Sequence, residues 1–205
     1  MDGFKPDSHG IAITTGFTTV SIIGRGVVLD AQFQGSFFNV GAGDGVGAAQ
    51  LSITGLTFRN GIPLRGNYGG AIAVGTYAKL DAVDCRFENN AVQSTVDDSS
   101  SEGGAIAVWD GGAITLQDTY FTVPADNTEW HNDIWACAGS GLAGGCREKA
   151  GSADAKVTFR CPPGQVGKPH SISAGGAQHT DSPNGGYYML ASELPPTKQL
   201  VNCTY

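Results

Sequence analysis

The chain has 205 residues, enough for one domain with a sizeable core. Charged residues make up only 15% of it and there are 31 glycines, a combination typical of short strands joined by tight turns. The net charge of −7 argues against a nucleic-acid partner, which selects a basic surface. No apolar run approaches the ~18–20 residues of a transmembrane segment.

A repeated hexapeptide organises the chain. The sequence Gly-Gly-Ala-Ile-Ala-Val occupies residues 69–74 and recurs 34 residues later at residues 103–108. Alternation of small and β-branched residues predicts a strand. Recurrence of the whole element predicts an architecture built from structural repeats.

Alignment on the hexapeptide gives four repeats of three short strands each. In chain order we number them repeat one (10–30), two (37–60), three (71–90) and four (105–121). The second strands begin at residues spaced by 31, 29 and 34 positions, which form one apolar column: Val20, Leu51, Leu80 and Ile114. Strand alternation gives the next column: Ile22, Ile53, Ala82 and Leu116. The third strands supply an aromatic column: Phe58, Phe87 and Phe121.

Residues that tolerate left-handed backbone separate the second and third strands. They are Gly24, Gly55, Asp84 and Asp118. Asn60 and Asn89 end the third strands at equivalent places, so we expect them to hydrogen-bond to each other between repeats. Cys85 falls in a core column and is expected to be a buried free thiol.

A strand triplet that cannot bury its apolar side alone must stack on its neighbours. The predicted fold is therefore an all-β parallel β-helix, a solenoid of about four to five repeats, with residues 131–135 as the first strand of a fifth. Insertions at residues 62–68 and 92–102 both precede the Gly-Gly pair, so both should emerge at one corner, where solenoids commonly bind partners.

The C-terminal part differs in composition. We divide one structural unit into β-helix repeats over residues 1–135 and a C-terminal segment over residues 136–205. That segment holds a last partial repeat, in which residues 157–164 resume as strand and turn, and a cysteine-rich irregular cap that ends the stack. Four cysteines allow three pairings there: Cys137, Cys146, Cys161 and Cys203. Pairing of Cys161 with Cys137 or Cys146 is favoured. Such disulfides predict an extracellular or organelle-lumen location. Asn202 lies in a weak glycosylation sequon.

Two features of the sequence resemble known protein families. The Gly-Gly-Ala-Ile tetrapeptide, paired with Phe-Glu-Asn-Asn at residues 87–90, resembles the repeats of polymorphic outer-membrane proteins and related adhesins. Residues 10–135 as a whole resemble the pectin-lyase-like superfamily, which implies a right-handed winding. The resemblance also implies a site over the first strands, where lyases hold calcium with acidic residues and hydrolases cluster aspartates.

The outward first-strand positions lack those groups. They are Ala12, Asn39, Ala71, Ala73, Ala105 and Ala107, with no carboxylate among them. Glycosidic hydrolysis needs two carboxylates and elimination needs a positioned base. The predicted face is small and flat, and suits packing against a partner. Four of these alanines and the neighbouring turn and loop residues are the predicted partner-binding set: Ala71, Ala73, Ala105, Ala107, Tyr68, Tyr77, Trp109 and Asp110.

No cofactor or metal is predicted. Asp97, Asp98 and Glu102 could supply oxygen ligands to calcium, but they lack the spacing of a known loop, so a solvated acidic loop is the favoured interpretation.

Three hypotheses for function remain. The leading one is a non-catalytic structural or adhesive protein that binds a protein or glycan. The alternative is a polysaccharide lyase or hydrolase. The third is an accessory subunit of a larger assembly: repeat one begins within ten residues of Met1, so either the chain is a fragment or a partner covers that end.

Overall fold

A computed structural model describes ten segments of the chain: residues 10–14, 19–41, 49–63, 69–92, 104–109, 111–122, 134–137, 155–160, 170–173 and 186–189. These segments are all-β, and none of them is helical. No helix with the length and hydropathy of a membrane span is found in them.

The strands belong to two sheets. The first contains β1 (Ile11–Ile13), β3 (Phe38–Val40), β5 (Ile72–Val74), β8 (Ile106–Val108), β11 (Ile134–Cys137) and β14 (Gly186–Met189). The second contains β2 (Val20–Asp30), β4 (Gln50–Arg59), β6 (Lys79–Val83), β7 (Arg86–Glu88), β9 (Ala113–Gln117), β10 (Tyr120–Thr122), β12 (Lys156–Arg160) and β13 (His170–Ser173).

Equivalent strands of successive repeats pair in parallel. In the first sheet β1, β3, β5, β8 and β11 follow one another in that order. In the second sheet β2 pairs with β4, and β4 pairs with β6 through its first half and with β7 through its second half. The chain therefore returns to each sheet once per repeat.

The predicted apolar columns are confirmed as cross-strand neighbours. The first column runs through Val20, Leu51, Leu80 and Ile114 and continues to Val157. The second runs through Ile22, Ile53, Ala82 and Leu116 and continues to Phe159. Apolar side chains from both sheets form one core cluster. A period of two within each strand therefore places one face of each sheet in a shared core.

The aromatic column is also confirmed. The rings of Phe58 and Phe87 stack with centroids 5.2 Å apart, and those of Phe87 and Phe121 stack at 4.9 Å. All three side chains are fully buried. Cys85 is a buried free thiol, as predicted. Burial is the largest cause that raises the pKa of this thiol, so Cys85 stays protonated at neutral pH.

The left-handed corner is confirmed in three repeats and wrong in the first. Gly55, Asp84 and Asp118 have φ of 65°, 51° and 49°. In repeat one the left-handed residues are Arg25 and Gly26, at 49° and 85°, and the register with β4 shifts between Ile23 and Val27. Gly24 does not have positive φ, so packing and not backbone conformation explains the glycine there.

Packing requires the glycine at position 24. Gly24 is buried, and a Cβ there would collide with the side chain of Leu56. The corner of repeat one is thus pushed along the chain by a bulge, and the left-handed backbone falls on the next two residues.

The Gly-Gly pair marks a close approach between backbones. A Cβ on Gly70 would collide with the carbonyl oxygens of Gly104 and Ala91, and one on Gly61 would collide with the carbonyl oxygen of Gly70. Gly70 does not have positive φ, so its requirement is steric. The repeated glycine is therefore explained by layer-on-layer contact immediately before the first strand.

The predicted asparagine contact is present. Asn89 Nδ2 donates to Asn60 Oδ1 at 2.7 Å, and Asn60 Nδ2 donates to Asp30 Oδ1 at 3.0 Å. Both asparagines have left-handed backbone, with φ of 56° at Asn60 and 52° at Asn89. The residue type thus satisfies two requirements, a left-handed strand end and an amide that bridges repeats.

Substitutions at Asn89 separate these two requirements. Asn89→Gly removes the hydrogen bond and keeps the backbone freedom, so we expect it to lower the free energy of unfolding by about 0.5–1.5 kcal/mol. Asn89→Ala removes both, and we expect a loss about 1–2 kcal/mol larger. Urea denaturation of both variants measures the difference. Equal losses would mean that the left-handed backbone at this position costs nothing.

The end of the described chain corrects the prediction of an irregular cap. The fifth repeat begins as predicted, with Ile134 opposite Ile106 and Lys156 opposite Ala113. Within the predicted cap, β13 and β14 then pair antiparallel with β12 and β11. The physical reason is that the last parallel strand of each sheet offers a free edge, which a returning strand can cover.

Several predicted features lie outside the described residues. These are Tyr68, Asp97, Asp98, Glu102, Asp110, Cys146, Cys161 and Asn202 with Cys203. Cys137 ends β11, where only the backbone is described. The disulfide pairing and the glycosylation sequon stay predictions.

Candidate partner-binding site

Two equivalent turns connect the first and second strands of repeats three and four. In repeat three the Ala78 amide donates to the Gly75 carbonyl oxygen at 3.1 Å. In repeat four the Gly112 amide donates to the Trp109 carbonyl oxygen at 2.8 Å. The Trp109 amide also donates to the Val74 carbonyl oxygen at 2.9 Å, which holds the two turns against each other. Tyr77 and Gly111 therefore occupy the same position in adjacent turns.

That position has left-handed backbone. The φ of Gly111 is 65°, which glycine adopts without steric penalty, and the φ of Tyr77 is 59°. A bulky residue in this region is uncommon and costs roughly 1–2 kcal/mol. The side chain of Tyr77 is nevertheless 38% exposed. A strained conformation that presents an aromatic ring to solvent is an indication of function.

The ring of Tyr77 packs over Gly111. A Cβ on Gly111 would lie 2.6 Å from both Cδ1 and Cε1 of Tyr77. Glycine at position 111 therefore serves its own turn and also makes room for the ring from the repeat before it.

Trp109 is less exposed than its predicted role as a partner contact requires. Its side chain is half-buried and packs against the core. Trp109 thus supports this corner from inside and presents only part of its ring, whereas Tyr77 is exposed as predicted.

Polar side chains lie beside the aromatic corner on the outer face of the second strands. Lys79 is exposed and faces Gln50 and Ala113 in the neighbouring strands. Gln50 Nε2 donates to Asp81 Oδ2 at 2.8 Å. The next strand carries exposed Lys156 opposite Ala113. With parallel strands about 4.8 Å apart, the two lysines bracket a surface of ~10 Å beside Tyr77.

The predicted exposed alanine face is wrong for three of its four members. Ala71, Ala105 and Ala107 are fully buried, and only Ala73 is half-buried. The Ala71 amide donates to the Ala105 carbonyl oxygen at 2.9 Å, so these alanines sit where backbones of adjacent repeats meet. The small residues reflect close approach between layers.

Two further carboxylates lie away from this corner, Glu88 on the third strand β7 and Asp118 just before the third strand β10. Glu88 Oε2 accepts from Arg59 Nε at 2.9 Å and from Arg59 Nη2 at 2.7 Å. This hydrogen bond is the largest cause that raises the pKa of Arg59. Asp118 Oδ1 accepts from the Tyr120 hydroxyl at 2.6 Å, which raises the pKa of that phenol. Each carboxylate thus has a cation or hydroxyl partner.

Across the described segments, no three His, Cys, Asp or Glu side chains are grouped so that they could hold a metal ion.

The corner at Tyr77 offers an aromatic ring, two lysines and a hydrogen-bonded amide–carboxylate pair. These groups suit binding by stacking and hydrogen bonds.

Tyr77 was predicted as a partner contact, but its left-handed backbone was not predicted from the sequence. The signal was present, because aligning Gly75 with Trp109 places Tyr77 in the same column as Gly111. A tyrosine that shares a column with a turn glycine predicts a left-handed tyrosine.

Comparison of the chain with models of known protein families, with curated proteins and with solved structures finds no match.

Proposed function

We propose that this chain is a right-handed parallel β-helix of the pectin-lyase-like type, with adhesin-like repeats and a disulfide-tied cap. The proposal is supported by the parallel pairing of equivalent strands and by the return of the chain to each sheet once per repeat. The repeated Gly-Gly-Ala-Ile sequence and the stacked aromatic column fit the same architecture.

Its function is non-catalytic: it is a structural or adhesive protein that binds a protein or glycan partner. The observation that carries this proposal is Tyr77, which is exposed despite a left-handed backbone that favours glycine. A chain selected for stability alone would place glycine there, as it does at the equivalent Gly111. We assign Tyr77 as the central contact and Lys79 as its polar neighbour.

The proposed cellular location rests on the cysteines. Disulfides among Cys137, Cys146, Cys161 and Cys203 would form in an extracellular or organelle-lumen compartment. Such a location suits an adhesive role, whether the protein acts alone or as an accessory subunit.

A pair of measurements on Tyr77→Gly tests the site. Because glycine relieves the left-handed strain, we expect the free energy of unfolding to rise by about 0.5–1 kcal/mol. Because the aromatic contact is lost, we expect binding to weaken roughly tenfold or more. A residue with a purely structural role would give the opposite sign in the stability measurement.

The binding probes are soluble polygalacturonate and alginate, measured by titration calorimetry with the purified protein. Tyr77→Phe is the matched control, since it keeps the ring and loses only the hydroxyl. Binding that is retained by Tyr77→Phe and lost by Tyr77→Gly is the expected result for a glycan partner. Equal binding by wild type and Tyr77→Gly would place the site elsewhere.

The same samples separate adhesion from catalysis. Incubation with either polymer should leave its chain length unchanged. Release of new chain ends would contradict the non-catalytic proposal and support a polysaccharide lyase or hydrolase.

A further inference from the structure

Exposed apolar side chains are concentrated at one end of the stack. Of the large hydrophobic residues that are exposed in the described segments, all but Tyr77 lie in repeat one or in the turn after it. These five residues, here called the repeat-one face, are Ile11 (47% exposed), Ile23 (69%), Val27 (48%), Val28 (47%) and Phe33 (43%).

Two of these positions correspond to buried apolar residues in repeat two. Val27 aligns with Leu56, which is 3% exposed, and Ile11 aligns with Phe38, which is 5% exposed. Among the described strands, β1 pairs only with β3 and β2 only with β4. The repeat-one face is therefore an apolar strand layer with one side uncovered by any described strand, a surface suited to association.

Backbone strain marks the same end. Gln32 and Phe33 have φ of 52° and 57°, and the Gln34 amide donates to the Ala31 carbonyl oxygen at 2.9 Å. Left-handed backbone at both central residues defines a type I′ turn, for which Asn-Gly is the favoured sequence. The chain instead carries a half-exposed phenylalanine there, and strain of this kind persists where the side chain has a role.

The charges along β2 indicate what covers the face. Arg25 and Asp30 are both exposed and flank the apolar residues Val27, Val28 and Leu29. A strand with a positive start and a negative end is complementary to a second copy of itself in antiparallel orientation. Parallel pairing of two copies would instead place like charges together. Asp30 accepts hydrogen bonds from Gln32 N and Asn60 Nδ2 through Oδ1 alone, so no described hydrogen bond engages Oδ2.

We propose that two copies of this chain associate through the repeat-one face. Residues 27–29 of the two copies pair antiparallel about a two-fold axis at Val28, which brings Arg25 of each copy to the end of the strand where Asp30 of the other copy lies. The two-fold arrangement makes a closed dimer, the commonest assembly of soluble proteins. This interface is separate from the corner at Tyr77, so failure of the proposed function would leave it standing.

Sedimentation equilibrium of the full chain tests the proposal. Wild type should be a dimer, and Val28→Lys should weaken dimerisation roughly tenfold or more by placing two lysines opposite each other at the two-fold axis. Thr122→Lys is the matched control. It places the same charge on an exposed position of a third strand in repeat four and should leave the dimer intact.

A charge reversal tests the orientation. Arg25→Glu should weaken the dimer, because Arg25 lies near Asp30 of the other copy, whereas Arg86→Glu on β7 should not. A monomeric wild type at the highest soluble concentration would overturn the proposal. A dimer that tolerates both Val28→Lys and Arg25→Glu would overturn it as well, because the contact would then lie on another surface.

Discussion

Replacing Phe87 by alanine is expected to lower the free energy of unfolding by about 3–5 kcal/mol. Phe87 is fully buried and its ring lies between those of Phe58 and Phe121, at centroid distances of 5.2 and 4.9 Å. The variant loses the apolar burial of one ring and both stacking contacts, and it leaves a cavity bounded by two other rings that cannot close it without moving their strands.

Chemical denaturation with fluorescence detection measures this loss. Thr122→Ala is the control, since Thr122 is exposed at the end of β10 and lies outside both proposed surfaces. We expect the control to change the free energy of unfolding by less than about 1 kcal/mol. If Phe87→Ala also costs less than about 1 kcal/mol, the register of the third strands is wrong.

Gly70→Ala should have the second large effect. The added Cβ would overlap the carbonyl oxygens of Gly104 and Ala91, which are backbone atoms that cannot rotate away. Relief requires the repeats to separate locally, so we expect a loss of about 3 kcal/mol or more.

Gly26→Ala separates this steric effect from the usual conformational cost of losing a glycine. Gly26 has φ of 85°, and a Cβ there would have no neighbour within 4 Å. We expect this control to cost about 1 kcal/mol from backbone strain alone. A Gly70→Ala variant as stable as Gly26→Ala would show that the layers are not in contact at the Gly-Gly pair.

Strand registers were predictable from the sequence because each repeat offers the same pattern. Leu51, Leu80 and Ile114 recur at nearly constant spacing and alternate with polar residues, so only one stacking aligns them. Asn60 and Asn89 were predictable for the same reason. Period and residue type together determine which side chains become neighbours in parallel strands.

The departures from the predicted corner in repeat one and from the predicted alanine face could not be predicted from the sequence, because they arise from contacts between layers. Gly24 resembles the corner residues Gly55 and Asp84, but a bulge in repeat one moves the left-handed backbone past it. Ala71 and Ala105 alternate like outward residues, yet they are buried where two backbones approach. Small residues mean either a bare surface or a close contact, and sequence alone does not choose between them.

The candidate site was predicted in part. Tyr77 was named for its aromatic side chain, whereas its left-handed backbone and its packing over Gly111 emerge only when repeats three and four are superimposed. Lys156 was not predicted as a site residue. It aligns with Lys79 only through Ala113 in the strand between them, and that alignment is known only once the strands are paired.

Both proposed surfaces depend on the in-register stacking of the repeats. Nuclear magnetic resonance of the isotopically labelled protein tests this stacking most directly, through short contacts between backbone amide and α protons of adjacent parallel strands. We expect such contacts between residues near Leu51 and Leu80, 29 positions apart, and between residues near Leu80 and Ile114, 34 positions apart. Cross-strand contacts at other separations, or an antiparallel pattern between these segments, would contradict the stacked arrangement and both surfaces built on it.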